Sequence, residues 1–126
     1  MRFNHITLRV RDIPRSRAFY LTLGFRFVVD ESHYCRFLSP VGDSTLSIEQ
    51  HDEAFRPGDQ IGLEFDSAEA LDAEVARLQA AGLTFVQPPM DQSWLWRDAR
   101  LLDPDGHELM LFHAGKNRLD PPWRVR

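Results

Sequence analysis

The sequence predicts an α+β fold of two βαβββ modules, related by pseudo-two-fold symmetry and forming one curved, cup-like mixed sheet. Three observations predict it. An alternating strand at 5–10 returns at 61–65, so that Ile6 is repeated at Ile61, 55 residues on. A helix stopped by Gly24 is repeated by one stopped at Gly82, 58 residues on. Two turn-like tetrapeptides, PVGD at 40–43 and DPDG at 103–106, each separate two short strand-like runs.

Taken in order, HITLRV sets Ile6, Leu8 and Val10 against His5, Thr7 and Arg9, the two-residue period of a half-buried strand. Asp12 and Pro14 supply a cap and a first-turn proline for a helix over about 14–22. Gly24 ends that helix, and FRFVV at 25–29 reads as the second strand. Strands near Tyr34 to Leu38 and Ser44 to Gln50 complete the first module, about 3–51. In the second, about 60–112, Ile61, Leu63 and Phe65 take the places of Ile6, Leu8 and Val10. Asp66 with Glu69 reads as a capping box, and Leu71, Val75, Leu78 and Ala81 form one apolar stripe. The unequal offsets make this helix about a turn longer than the first. LTFV at 83–86 repeats the FRFV strand, QPPMDQ reads as a linker, and strands follow near Trp94 to Leu102 and Glu108 to Phe112. A tail, 113–126, completes a single domain of 126 residues.

Totals narrow the class. The composition is that of a soluble globular protein, 43% hydrophobic and 27% charged. A net charge of -4 with both signs dispersed offers no footprint for nucleic acid. No apolar window is long enough for a membrane span, and the charged opening MRFNHITLRVRD does not read as a signal peptide. One cysteine, Cys35, excludes an internal disulfide and suits a reducing, cytoplasmic setting.

Parity decides which side chains share a face. If the apolar sets face the helices, the concave face receives His5, Thr7, Arg9, Ser47, Glu49, Gln60, Gly62, Glu64, Glu108, Met110 and Phe112. Buried charge needs partners or a ligand, so a face this polar is a candidate site. Trp94 and Trp96 enter the penultimate strand with one parity and, with Phe112, are expected to wall an aromatic pocket suited to flat, apolar or cationic ligands. Core or dimer contact is the plainer alternative for both tryptophans. Glu49 and Glu64 read by default as solvated or paired carboxylates, with Arg9 as a partner. The sharper reading is a general base, which needs burial to raise its pKa. His33 and Cys35 share one face of a short strand, but two ligands do not make a metal site. Trp123 is expected to anchor the tail on the body or on a partner subunit.

Three stretches together, NHITLRVRDIPRSRAFYLTLGF, RLQAAGLTFV and DPDGHELMLF, resemble the vicinal oxygen chelate superfamily. Its members include glyoxalase I, extradiol dioxygenases, fosfomycin-resistance enzymes and bleomycin-resistance proteins. The resemblance implies metal ligands at the first residue of each module's first strand and on its last strand. His5 then matches the first-strand ligand and Gln60 stands where the second module usually places histidine. The late glutamate expected four residues after the glycine of DPDG is replaced by Met110, and its first-module equivalent is Ser47. Glu49 and Glu108 lie two residues away, about 7 Å along the strands. Two functional readings follow. One is a homodimeric small-molecule binder with an incomplete metal site and no cofactor, similar to the bleomycin-resistance branch. The other is a glyoxalase-type lyase, isomerase or dioxygenase acting on a small carbonyl or vicinal-oxygen substrate. It would hold one divalent ion (Zn, Ni, Mn, Fe or Mg) on His5, Gln60 and Glu49 or Glu108, a second carboxylate moving the proton.

Overall fold

The computed structural model describes residues 2–52 and 60–124. The chain divides into two compact units, Met1–Pro57 with Asp103–Asp105, and Gly58–Leu102 with Gly106–Arg126. The first carries β1 (His5–Val10), α1 (Ile13–Thr22), β2 (Arg26–Asp30), β3 (Tyr34–Leu38) and β4 (Thr45–Gln50). The second repeats the order with β5 (Gln60–Glu64), α2 (Ala68–Ala80), β6 (Phe85–Asp91), β7 (Arg97–Leu102) and β8 (Glu108–His113), then a 3₁₀ turn, Gly115–Arg118. Each unit closes its own four-stranded mixed sheet, in the orders β1-β4-β3-β2 and β5-β8-β7-β6. The first strand of each runs parallel to its neighbour and the other pairings are antiparallel.

In the first unit the Asp12 side chain accepts from the Arg15 amide, and Pro14 sits in the first turn, where its missing N–H costs nothing. Gly24, at φ +95°, makes the left-handed exit that a side chain would resist. Ile13, Phe19 and Tyr20 of the helix and Val10, Phe37 and Ile48 of the sheet are all buried, with the Tyr20 ring against that of Phe37. Tyr20 meets Phe19 and Phe25 edge-on, with centroids 5.1 and 5.8 Å apart. Both carboxylates of the DPDG turn serve this helix. Asp103 accepts the Tyr20 hydroxyl at 2.7 Å, and Asp105 accepts from the Arg11 amide, the Ser16 hydroxyl and the Arg15 guanidinium. Burial first, and then the Asp103 carboxylate, push the Tyr20 hydroxyl pKa far above its ordinary value.

In the second unit Leu71, Val75 and Leu78 pack on the sheet, while Ala81 lies exposed beyond the helix end rather than closing the stripe. At thirteen residues against ten, α2 is about a turn longer than α1. The cap is Ser67, whose hydroxyl accepts from the Ala70 amide, and not the Asp66–Glu69 pair. Ser67, one residue later than Asp66, has the extended backbone of the half-in position, which puts its hydroxyl within reach of the Ala70 amide. The stretch read as a linker is strand. β6 runs through Pro88 and Pro89 to Asp91, because it is the sheet's outer strand and its prolines need donate to no neighbour on the open side. Register breaks around Gln87 absorb them. Conversely β7 starts only at Arg97, and Trp94 and Trp96 belong to the turn before it. Their shared strand parity therefore does not arise.

Candidate functional site

Tyr20 packs against Phe37, so residues of Phe37 parity face the helix and the alternate residues face away. In the first unit the face away from α1 carries His5, Thr7 and Arg9 on β1, Thr45, Ser47 and Glu49 on β4, and Tyr34 and Arg36 on β3. The register is Arg36 beside Ser47 beside Thr7. Both nitrogens of the exposed His5 ring meet hydroxyls, Nδ1 at 2.6 Å from Thr45 Oγ1 and Nε2 at 3.1 Å from Thr7 Oγ1. Ser47 is fully buried and its Oγ lies 2.7 Å from the Tyr34 hydroxyl, which accepts from Arg36 Nε at 3.0 Å. His5 is paired with Thr45 in the ladder, and Glu49 stands at the far end of β4 beside Arg9, facing His51 Nε2 at 3.5 Å. His5 and Glu49 are thus four strand positions apart, about 13 Å.

The second unit's corresponding face brings other expected residues together. Gln60 is the ladder partner of Glu108, and its Nε2 donates to Glu108 Oε2 at 2.6 Å. Arg100 NH1 lies 3.9 Å from the other oxygen of Glu108. Gly62 pairs with Met110, and Glu64, opposite Phe112, takes Arg118 Nε at 3.3 Å. Met110, Phe112 and Ala114 form a buried apolar cluster on this face, covered by Trp96. The Trp96 and Phe112 rings stack at 4.6 Å with 14° between planes, and Trp96 Nε1 donates to the Asn117 carbonyl. Gly62 makes the room, since a Cβ there would stand 3.0 Å from Phe112 Cε1. Trp94 is held apart, 38% exposed in its turn. The turn itself is strained, with Leu95 at φ +68°. It borders an open cleft of about 400 Å³ whose walls include Gln92, Trp96, His113 and Asn117.

Sequence reasoning missed the polar floor of this face. Asp98, fully buried opposite Phe112, accepts from Gln87 and Gln92 amides at 2.6 and 2.8 Å on one oxygen. Its other oxygen has no hydrogen bond and faces Arg100 NH2 at 3.5 Å. It also missed Tyr34 and Arg36. The repeat held the signal: Arg36 beside Ser47 and Thr7 occupies the ladder place that Arg100 holds beside Met110 and Gly62.

Among the minor candidates, Cys35 is buried on the helix side with Sγ toward Asp30, and burial raises its thiol pKa, whereas His33 is exposed. They do not share a site. His113 Nδ1 meets the Phe65 carbonyl at 2.9 Å. Trp123 is 59% exposed, so it does not anchor the tail on its own chain, and the last two tail residues lie outside the described residues. Among the described residues no three of His, Cys, Asp and Glu group as a metal cage would require. Among the described residues no helix is long and apolar enough to cross a membrane.

Solved structures similar to this chain agree on the fold. A glyoxalase/bleomycin resistance protein/dioxygenase from Nocardioides superposes with a TM-score of 0.82 at 21% identity, covering 100% of this chain and 90% of its own. A lactoylglutathione lyase from Agrobacterium tumefaciens gives 0.76 at 16% identity, covering 89% and 92%. A glyoxalase-related enzyme from Fulvimarina pelagi gives 0.74 at 20% identity, covering 89% and 87%. No curated protein matches the sequence. The family model of the glyoxalase/bleomycin resistance protein/dioxygenase superfamily matches residues 2–111. With that match and two βαβββ units in place, the chain belongs to the glyoxalase/bleomycin resistance protein/dioxygenase superfamily.

Proposed function

We propose that this chain binds a small molecule on the helix-distal faces of its sheets, holds no resident divalent metal, and sequesters its ligand rather than transforming it. The observation that carries this reading is the state of Glu108. Its carboxylate is taken by the Gln60 amide N–H at 2.6 Å and faced by the Arg100 guanidinium at 3.9 Å. A divalent ion there would have to turn the Gln60 amide about and sit close to a like charge. The donor beside Glu108 on its own face does not help it, since Met110 offers a soft thioether. On the first unit's face, taken by itself, the companions of His5 are the neutral hydroxyls of Thr45 and Thr7. This donor set does not fit an open site of the kind the superfamily uses, and no catalytic step is assigned to Glu49 or Glu108.

What the faces offer instead is recognition. Met110, Phe112 and the stacked Trp96 give a flat apolar wall. On that same face Gln60 and Glu64 supply polar contacts and Trp94 stands at the rim, while Arg9 is a polar contact on the first unit's own face. The reading includes a homodimer, since short modules leave strand edges unpaired, and a cytoplasmic setting, given a single buried cysteine. Elemental analysis of protein purified without chelator tests the central point. Expected is far less than one zinc, nickel, manganese or iron per chain; near-stoichiometric metal would overturn the reading.

A further inference from the structure

We infer that the helix-distal face of the first unit holds an oxyanion, the carboxylate or phosphoryl group of a small ligand, between the Arg36 guanidinium and the Ser47–Tyr34 hydroxyl pair. This deepens the proposed function and rests on it for the choice of face.

Hydrogen-bond direction carries the argument. Arg36 Nε–H donates to the Tyr34 hydroxyl oxygen at 3.0 Å, and that oxygen lies 2.7 Å from Ser47 Oγ. Two hydroxyls bring two protons to one mutual hydrogen bond, so one proton remains whichever of them donates. Neither residue has a further hydrogen-bond acceptor among the described residues. Ser47 is fully buried, and a buried donor without an acceptor costs free energy that a ligand oxygen would recover. Arg36 points the same way. It is half-buried, rests 5.7 Å from the Tyr34 ring centre, and forms no ion pair with a carboxylate among the described residues. Its structural counterpart in the second unit, Arg100, lies near two, Asp98 and Glu108. The paired arginine and the open one therefore differ in what they can still bind. An arginine fork with unspent N–H groups beside a spare hydroxyl proton matches carboxylate or phosphoryl oxygens. Glu49, the face's own carboxylate, stands one row along β4 opposite Tyr34, about 7 Å from Ser47, and forms no ion pair with Arg36.

The test follows the Arg36 side-chain Nε–H resonance by NMR while inorganic phosphate, acetate or choline chloride is added at matched ionic strength. Expected is a saturable shift with phosphate, acetate or both, and none with chloride. Phosphate alone identifies a phosphoryl ligand, and acetate alone a carboxylate. Ser47→Ala, shape-conserving in the core, weakens the response roughly tenfold. Arg36→Gln, followed through the Ser47 and Tyr34 backbone amides, abolishes it, while Arg26→Gln on exposed β2 leaves it unchanged. A linear shift common to all three salts, or an undiminished response in Arg36→Gln, overturns the inference. Metal content is read separately, so anion binding by a metal-loaded protein would sink the proposed function and spare this site.

Discussion

Replacing Tyr20 by phenylalanine removes one oxygen from the middle of the first unit and leaves the ring packing on Phe19, Phe25 and Phe37 intact. That oxygen donates to Asp103 at 2.7 Å, and both residues are buried. A hydrogen bond to a charged acceptor contributes about 1.5–3 kcal/mol, and its loss also strips a buried carboxylate of one donor. We therefore expect Tyr20→Phe to cost about 2 kcal/mol at neutral pH, a fall of about 1 M in the urea midpoint for an m-value near 2 kcal/mol/M. The pH dependence sharpens the test. Burial, then the Asp103 charge, raises the folded-state pKa of Tyr20 above its ordinary value of 10.0. A raised pKa contributes stability that is fully present below pH 10 and is lost as pH climbs past that value, where only the unfolded chain releases the proton. Urea titrations at pH 7 and in steps above pH 10 should show wild-type stability falling with a slope that Tyr20→Phe lacks. A loss under about 0.5 kcal/mol at pH 7, or the same alkaline slope in both proteins, would refute this role for the DPDG turn.

Gly62→Ala should drive a Cβ against Phe112 and cost about 1–2 kcal/mol, with a change in Trp96 fluorescence as the ring stack tilts. An unchanged spectrum would mean that the stack does not depend on that gap. Asp98→Ala removes the carboxylate oxygen that the Gln87 and Gln92 amides share and one of the two carboxylates beside Arg100, so a loss of about 3 kcal/mol in urea denaturation is expected. Light scattering should give twice the 14.6 kDa chain mass. A single-chain mass at all concentrations would contradict the dimer.

Most of the architecture was legible because it rests on local chemistry that repeats. Asp12, Pro14, Gly24 and Gly82 mark helix ends by backbone geometry, and the alternation of Ile6, Leu8 and Val10 needs no tertiary knowledge. The errors fell where tertiary context overrides local preference. Pro88 and Pro89 read as a linker until their strand is known to be an outer one, and Trp94 reads as strand until the Leu95 turn is seen. The site was half legible. Parity gathered Gln60, Gly62, Glu108, Met110 and Phe112 on one face, but it cannot tell that Gln60 and Glu108 are direct partners. Nor could it value Arg36 and Asp98, since their meaning lies in which neighbouring protons and carboxylates they find across the ladder.

The most direct measurement is the nitrogen chemical shifts of the His5 imidazole during addition of one equivalent of zinc. If the His5 ring is committed to Thr45 and Thr7 and no metal belongs on these faces, both nitrogens stay where they were. A large, stoichiometric shift of one ring nitrogen would contradict the metal-free reading at its root.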